Sequence, residues 1–221
     1  MAVKLLCVGD IHLGRWPSGL PEEVVQQAGK RVLTPAAAWQ RSVDVALNLN
    51  VDAVLFAGDV VEKESDFYEA FRDLEAGVIR LAKAGVKVLG VAGNHDVEVL
   101  PRLAEVVPGF HLLGSSGVWE EDIITGRDGT EVRVLGWSFP KSIVRDNPLK
   151  DIPALQRDSR PTIGLLHRDR DQSGSQYAPV TSSDLEAASV DAWLLGHIHR
   201  PDPLEGPRPI GYLSLIHISE P

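Results

Sequence analysis

Apolar residues in this chain come in short runs that stop at glycine or at a charged side chain. AVKLLCV (2–8), DAVLFAGD (52–59) and VKVLGVAG (86–93) are continuous enough to predict strands buried on both faces. Between them the period changes. PAAAWQRSVDVALNLN (35–50) sets Trp39, Val43, Ala46 and Leu47 at helical spacing, with Pro35 suited to the first turn. SDFYEAFRDLEAGVIRLAKAG (65–85) predicts a second amphipathic helix. Ser65 or Asp66 caps it, Phe67, Phe71, Leu74, Val78 and Leu81 form the stripe, and Gly85 ends it. PEEVVQQAGK (21–30) adds one short helix inside a loop punctuated by proline and glycine. Strand, helix, strand, helix, strand points to an α/β sheet with parallel members.

The second half differs. GVWEEDIITGRDGTEVRVLGWSF (117–139) carries two strand-like runs around a Gly-Arg-Asp-Gly turn, a hairpin signature. TIGLLH (162–167) and DAWLLGHIH (191–199) are again short buried strands, with a helix over SSDLEAAS (182–189) between them. RPIGY (208–212) reads as a further strand, and VEVLPRLAEVV (97–107) as a helix for which Asp96 is a favoured N-cap. No internal repeat or linker divides the chain, so one domain is expected.

Composition narrows the setting. The 221 residues, 43 % of them hydrophobic, suffice for one sizeable core. No apolar run approaches the ~18 residues of a membrane span, and MAVKLLCVGD lacks a cleavable signal pattern, so no membrane partner is expected. Cys7, the single cysteine, sits in a strand pattern as a small core residue and excludes an internal disulfide, which suits a reducing cytoplasm. A net charge of −9 argues against a nucleic-acid partner unless several of the acids hold metal ions.

The residues at the strand ends supply that condition. The first strand ends at GDIHLG, the second at GDVVE, the third at GNHD, and the later ones at LLH and LLGHIH. Ligands gather at the carboxyl ends of strands in open α/β sheets, so these blocks should converge in one cleft. The candidate ligands are Asp10, His12, Asp59, Asn94, His167, His197 and His199. They offer oxygen and imidazole donors without thiolate, a set suited to two divalent ions, manganese first, with iron or zinc also accepted. In Asp-Ile-His and His-Ile-His, positions i and i+2 of an extended segment face the same side. Of the seven histidines, 12, 95, 167, 197 and 199 fall in these blocks, whereas His111 and His217 do not, and His111 reads as structural or surface.

GDIHLG, GDVVE, GNHD, the lone His167 and GHIH, all in order, resemble the calcineurin-like metallophosphoesterase superfamily. The resemblance implies a four-layer αββα sandwich with two metals at one edge. It implies that Asp10, His12, Asp59 and His199 hold one ion, and that Asp59, Asn94, His167 and His197 hold the other. His95 would then face the scissile phosphate as proton donor. Glu62 falls where many members carry an Asp that orients the catalytic histidine, and it either does so here or is a solvated residue ahead of the second helix. Arg168, Arg170 and Arg200 flank ligand blocks, and either contact flanking phosphates or offset Asp169, Asp171 and Asp202.

The finer pattern, QYAPVTSSDLEAASVDAWLLGHIHRP with AGVKVLGVAGNHDVEVL and DAVLFAGDVVEKE, is similar to bacterial DNA-repair exonucleases of the SbcD type. That likeness implies a DNA nuclease working with an SbcC-like ATPase partner. Two other functions stay open: a phosphodiesterase of cyclic nucleotides or other small molecules, and a non-catalytic scaffold. The family fold also sets an expectation for the end of the chain. LSLIHISEP (213–221) matches nothing the family places there, but reads residue for residue as the translation of a transposon-end sequencing adapter. The expectation is therefore a catalytic domain over 1–212, incomplete at its C-terminus because further sandwich strands and a cap are missing, and a non-native 213–221 in which His217 has no role.

Overall fold

The computed structural model describes residues 2–15, 22, 23, 26, 32–155 and 158–213. Most of the predicted helix over 21–30 lies outside the described residues, as do His217 and 214–221.

Two sheets form, and each is ordered by chain sequence. The first runs β1 (Leu5–Val8), β2 (Ala53–Ala57), β3 (Lys87–Val91), β4 (Phe110–Leu112), all parallel. The second runs β5 (Glu120–Thr125), β6 (Glu131–Trp137), β7 (Thr162–His167), β8 (Ala192–Gly196), β9 (Ile210–Tyr212); β5 and β6 make the predicted antiparallel hairpin and the rest are parallel. Strand β4 carries too short a run to stand out in the sequence, and His111 on it is exposed, in keeping with a surface residue.

Helices close the outer faces. Helix α1 (Pro35–Leu49) starts at Thr34, whose hydroxyl accepts from the Ala37 N–H at 3.2 Å, and stops at Asn50 in the left-handed region. Helix α2 (Phe67–Lys83) buries Leu74, Val78 and Leu81, while Phe67 and Phe71 are partly covered. Asp66 stands at its N-cap without a side-chain cap bond. Helix α3 (Leu100–Val106) begins later than its periodicity suggested. On the second sheet, α4 (Ser182–Ala187) opens with a reciprocal capping box between Thr181 and Asp184.

Strand alternation produces three cores. Val54, Phe56 and Val88 face Trp39, Val43 and Leu74 of the helices. Leu55, Leu89 and Val91 face Leu165 and Leu194 across the two sheets. Trp137, Leu166, Trp193 and Leu195 turn to the far side, where Leu185 of α4 packs. This is a four-layer αββα sandwich. Its parallel strands on both sheets deliver their carboxyl ends to one edge.

Candidate metal centre

The strand ends meet as the sequence required. Beyond β1 and β2 the two chains stay paired: Asp10 N–H donates to Gly58 O (3.2 Å), His12 N–H to Asp59 O (2.9 Å) and Leu13 N–H to Val60 O (2.8 Å). Asp10, His12, Asp59 and His197 all take positive φ (55°, 53°, 49° and 102°). Left-handed backbone at a non-glycine residue costs on the order of 1–3 kcal/mol, and such strain concentrates at functional sites. Two glycines permit the close approach. A Cβ on Gly93 would lie 2.1 Å from Asp59 Oδ1, and one on Gly196 would lie 1.9 Å from Ala57 O.

The donors fall into two trios, Asp10–His12–His199 and Asp59–His167–His197, each with ligand atoms within 4.8 Å of one another. Asp59 stands between the two. Its Oδ2 is 3.2 Å from His167 Nε2 and 3.9 Å from His12 Nε2, and its Oδ1 accepts the His95 backbone N–H at 3.0 Å. Asn94 Oδ1 joins the second trio, 3.1 Å from His167 Nε2. All seven predicted ligands are thus brought together. Imidazole nitrogens face each other at 3.2 Å in both trios, His12 Nε2 to His199 Nε2 and His167 Nε2 to His197 Nδ1. Nitrogen and oxygen donors converging at that spacing fit divalent cations.

Packed this closely, the donors perturb one another's titration. Burial opposes a charge on His167, yet the Asp59 carboxylate beside it lifts its pKa to about 9. Burial likewise opposes ionisation of Asp59, but His167 and then His12 hold it well below the usual carboxylate range. Burial and the His167 charge push His197 down to about 4. His199 is raised by its bond to Asp10.

Around the donors, other groups fix ring orientation. His167 Nδ1 donates to Ala57 O at 2.9 Å, which leaves Nε2 for a ligand. Glu62 Oε2 lies 2.8 Å from His12 Nδ1, off the line of a hydrogen bond, and within 4.8 Å of a His95 nitrogen. Glu62 is therefore no solvated surface acid, and its first partner is His12 rather than His95. His95 is exposed, its ring edge-on to His12 at 5.2 Å.

Several expectations change. Asp96 caps no helix: Val99 holds the N-cap position, and the Asp96 carboxylate turns inward, fully buried, to accept from Val60 and Gly93 N–H at 2.7 Å. Burial raises it to about 7. It ties the β2 turn to the β3 turn, a role visible only once both turns are adjacent. Arg168 is fully buried and so does not face a phosphate in solvent. Arg170 is held by Asp202 at 2.6 Å, the charge-offsetting alternative. Arg200 is exposed beside His199 and stays available to a flanking phosphate.

The comparisons agree with this geometry. The profile of the calcineurin-like phosphoesterase family matches residues 3–201. The uncharacterized metallophosphoesterase YhaO of Bacillus subtilis is 29 % identical over 96 % of the chain, and covers 53 % of its own length in the match. The DNA double-strand break repair protein Mre11 of Aeropyrum pernix is 30 % identical over 96 % of the chain and 53 % of its own. The chain thus spans about half the length of the curated relatives it matches. In fold it is similar to TT1561 of Thermus thermophilus (TM-score 0.56, 14 % identity, 97 % of this chain and 91 % of that one). It is also similar to a dimetal phosphatase from Danio rerio (TM-score 0.57, 11 % identity, 97 % and 88 %). With a family match that runs from β1 through the last histidine pair, the chain belongs to the calcineurin-like phosphoesterase family.

Proposed function

We propose that this chain is the phosphodiester-hydrolysing domain of a DNA end-processing nuclease. The observation that carries the chemistry is one exposed imidazole, His95, edge-on to His12 beside two carboxylate–histidine trios whose carboxylates are buried. DNA as substrate is supported by the likeness to the archaeal protein described as Mre11 over nearly the whole chain. Two divalent ions, manganese first, would be held by Asp10, His12, Asp59 and His199 on one side and by Asp59, Asn94, His167 and His197 on the other. When bound, they supply hydroxide near neutral pH and offset phosphoryl charge.

The chain's own residues do the rest. His95 is tethered by its backbone to Asp59 while its ring stays free, so it can donate a proton to the departing alkoxide oxygen. Glu62 fixes His12 from behind. Arg200 offers a charge-assisted contact to a flanking phosphate. An SbcC-like ATPase partner in the cytoplasm would add the DNA-gripping surface that an acidic chain lacks.

Hydrolysis of bis-(p-nitrophenyl) phosphate with manganese separates an enzyme from a scaffold. Linear duplex DNA, closed circular DNA and cyclic AMP are then compared under the same conditions. Cutting of linear DNA alone is expected. Turnover of cyclic AMP without DNA cleavage would replace the nuclease by a small-molecule phosphodiesterase, and cutting of the closed circle would add endonuclease action.

A further inference from the structure

The segment after β7 folds back onto the metal centre. Asp169 N–H donates to Tyr177 O (3.0 Å) and Val180 N–H to Asp169 O (3.1 Å), which clamps 169–180 into a closed loop. The Asp169 carboxylate is buried inside it. One oxygen accepts from Ser175 Oγ at 2.5 Å, and the other lies 3.3 Å from His197 Nε2. The Tyr177 ring lies against the face of the same imidazole, centroids 4.8 Å apart. His197 is therefore flanked by a carboxylate at one nitrogen and by a tilted tyrosine ring, and its remaining nitrogen, Nδ1, lies 3.2 Å from His167 Nε2.

A neutral imidazole carries one ring proton, and a carboxylate against one nitrogen keeps the proton there and frees the other lone pair. His167 meets the same need with the Ala57 carbonyl, and at His12 the Glu62 carboxylate stands 2.8 Å from Nδ1. We propose that Asp169, anchored by Ser175, is a positioning residue that fixes His197 as an Nδ1 ligand, so that the Asp59–His167–His197 subsite takes its affinity from this loop. The inference rests on the two-ion reading above.

Calorimetric titration of the metal-free protein with manganese tests it. The parent should show two binding steps. Asp169→Leu should weaken one step by about 10–100-fold and spare the other. Asp169→Asn, which keeps an acceptor oxygen, should recover part of the loss, and Ser175→Ala should shift the same step by less. A second readout needs no metal: long-range ¹H–¹⁵N spectra of the histidine rings should show His197 with its proton on Nε2 in the parent and a tautomer mixture in Asp169→Leu. Parental affinity for both steps in Asp169→Leu, or an unchanged tautomer, would overturn the proposal. If the parent itself takes up no manganese, the two-ion reading fails, and the ring spectra still decide what Asp169 does. Should Asp169→Leu fail to fold, Ser175→Ala carries the test through the same two measurements.

Discussion

The backbone N–H of His95 donates to Asp59 Oδ1 at 3.0 Å, while the other oxygen of that carboxylate sits 3.2 Å from His167 Nε2. One acid therefore anchors the backbone that carries the exposed imidazole and lies 3.2 Å from a histidine nitrogen of one trio and 3.9 Å from one of the other. Asp59→Asn should abolish hydrolysis and lower metal content together. At manganese a hundred times Kd, loss of one ion would remove about 2.7 kcal/mol of stabilisation, visible as a drop in Tm. Elemental analysis beside a thermal scan checks this; an Asn variant with two ions and parental turnover would remove the bridging role.

His95→Ala should behave differently. Its ring belongs to neither four-ligand set and is exposed, so metal content should hold at the parental level while turnover falls by roughly 10²–10⁴. The same two assays report it, and loss of an ion here would make His95 a ligand.

Glu62 separates two roles by measurement. Acting through His12 at 2.8 Å, Glu62→Gln should weaken one manganese-binding step by about 10–100-fold. If the acid served His95 instead, both binding steps would keep their affinity and only kcat would fall.

Arg168 makes a stability prediction. Its guanidinium is fully buried, and none of its nitrogens has a hydrogen-bond partner among the described residues. Burial pushes its pKa down to about 9. Its charge thus opposes folding in full below that value. The opposition fades as pH climbs from about 9 toward the ordinary arginine range, because the folded chain then releases a proton that the unfolded chain keeps. Arg168→Met should be more stable than the parent by about 1–4 kcal/mol near pH 7. The difference should narrow near pH 10 in paired urea titrations. A less stable variant at pH 7 would mean that the guanidinium has a partner.

Asp96→Ala would leave the Val60 and Gly93 N–H groups buried without an acceptor. Each orphaned donor costs about 1–3 kcal/mol, so the midpoint of chemical unfolding should fall well beyond the effect of an ordinary surface substitution. An unchanged midpoint would show that water replaces the carboxylate.

The candidate ligands were legible in the sequence, and the fold brings them together. Short continuous apolar runs pointed to strands covered on both faces, and parallel strands present their carboxyl ends together within a sheet. That gathers GDIHLG, GDVVE and GNHD on one sheet and LLH and GHIH on the other; the stacking of the two sheets brought both sets to one edge. The strand period even held a signal for Arg168: it comes directly after His167 in an extended segment, and successive side chains face opposite ways, so one of them had to leave the metal edge. What the chain order could not determine was which distant side chains would touch. Glu62 reaches His12, Asp96 reaches the β2 turn, and Asp169 reaches His197. Those contacts depend on rotamers and loop closure set by packing across both sheets. Periodicity assigns a residue to a face, but only the assembled sandwich selects its partner.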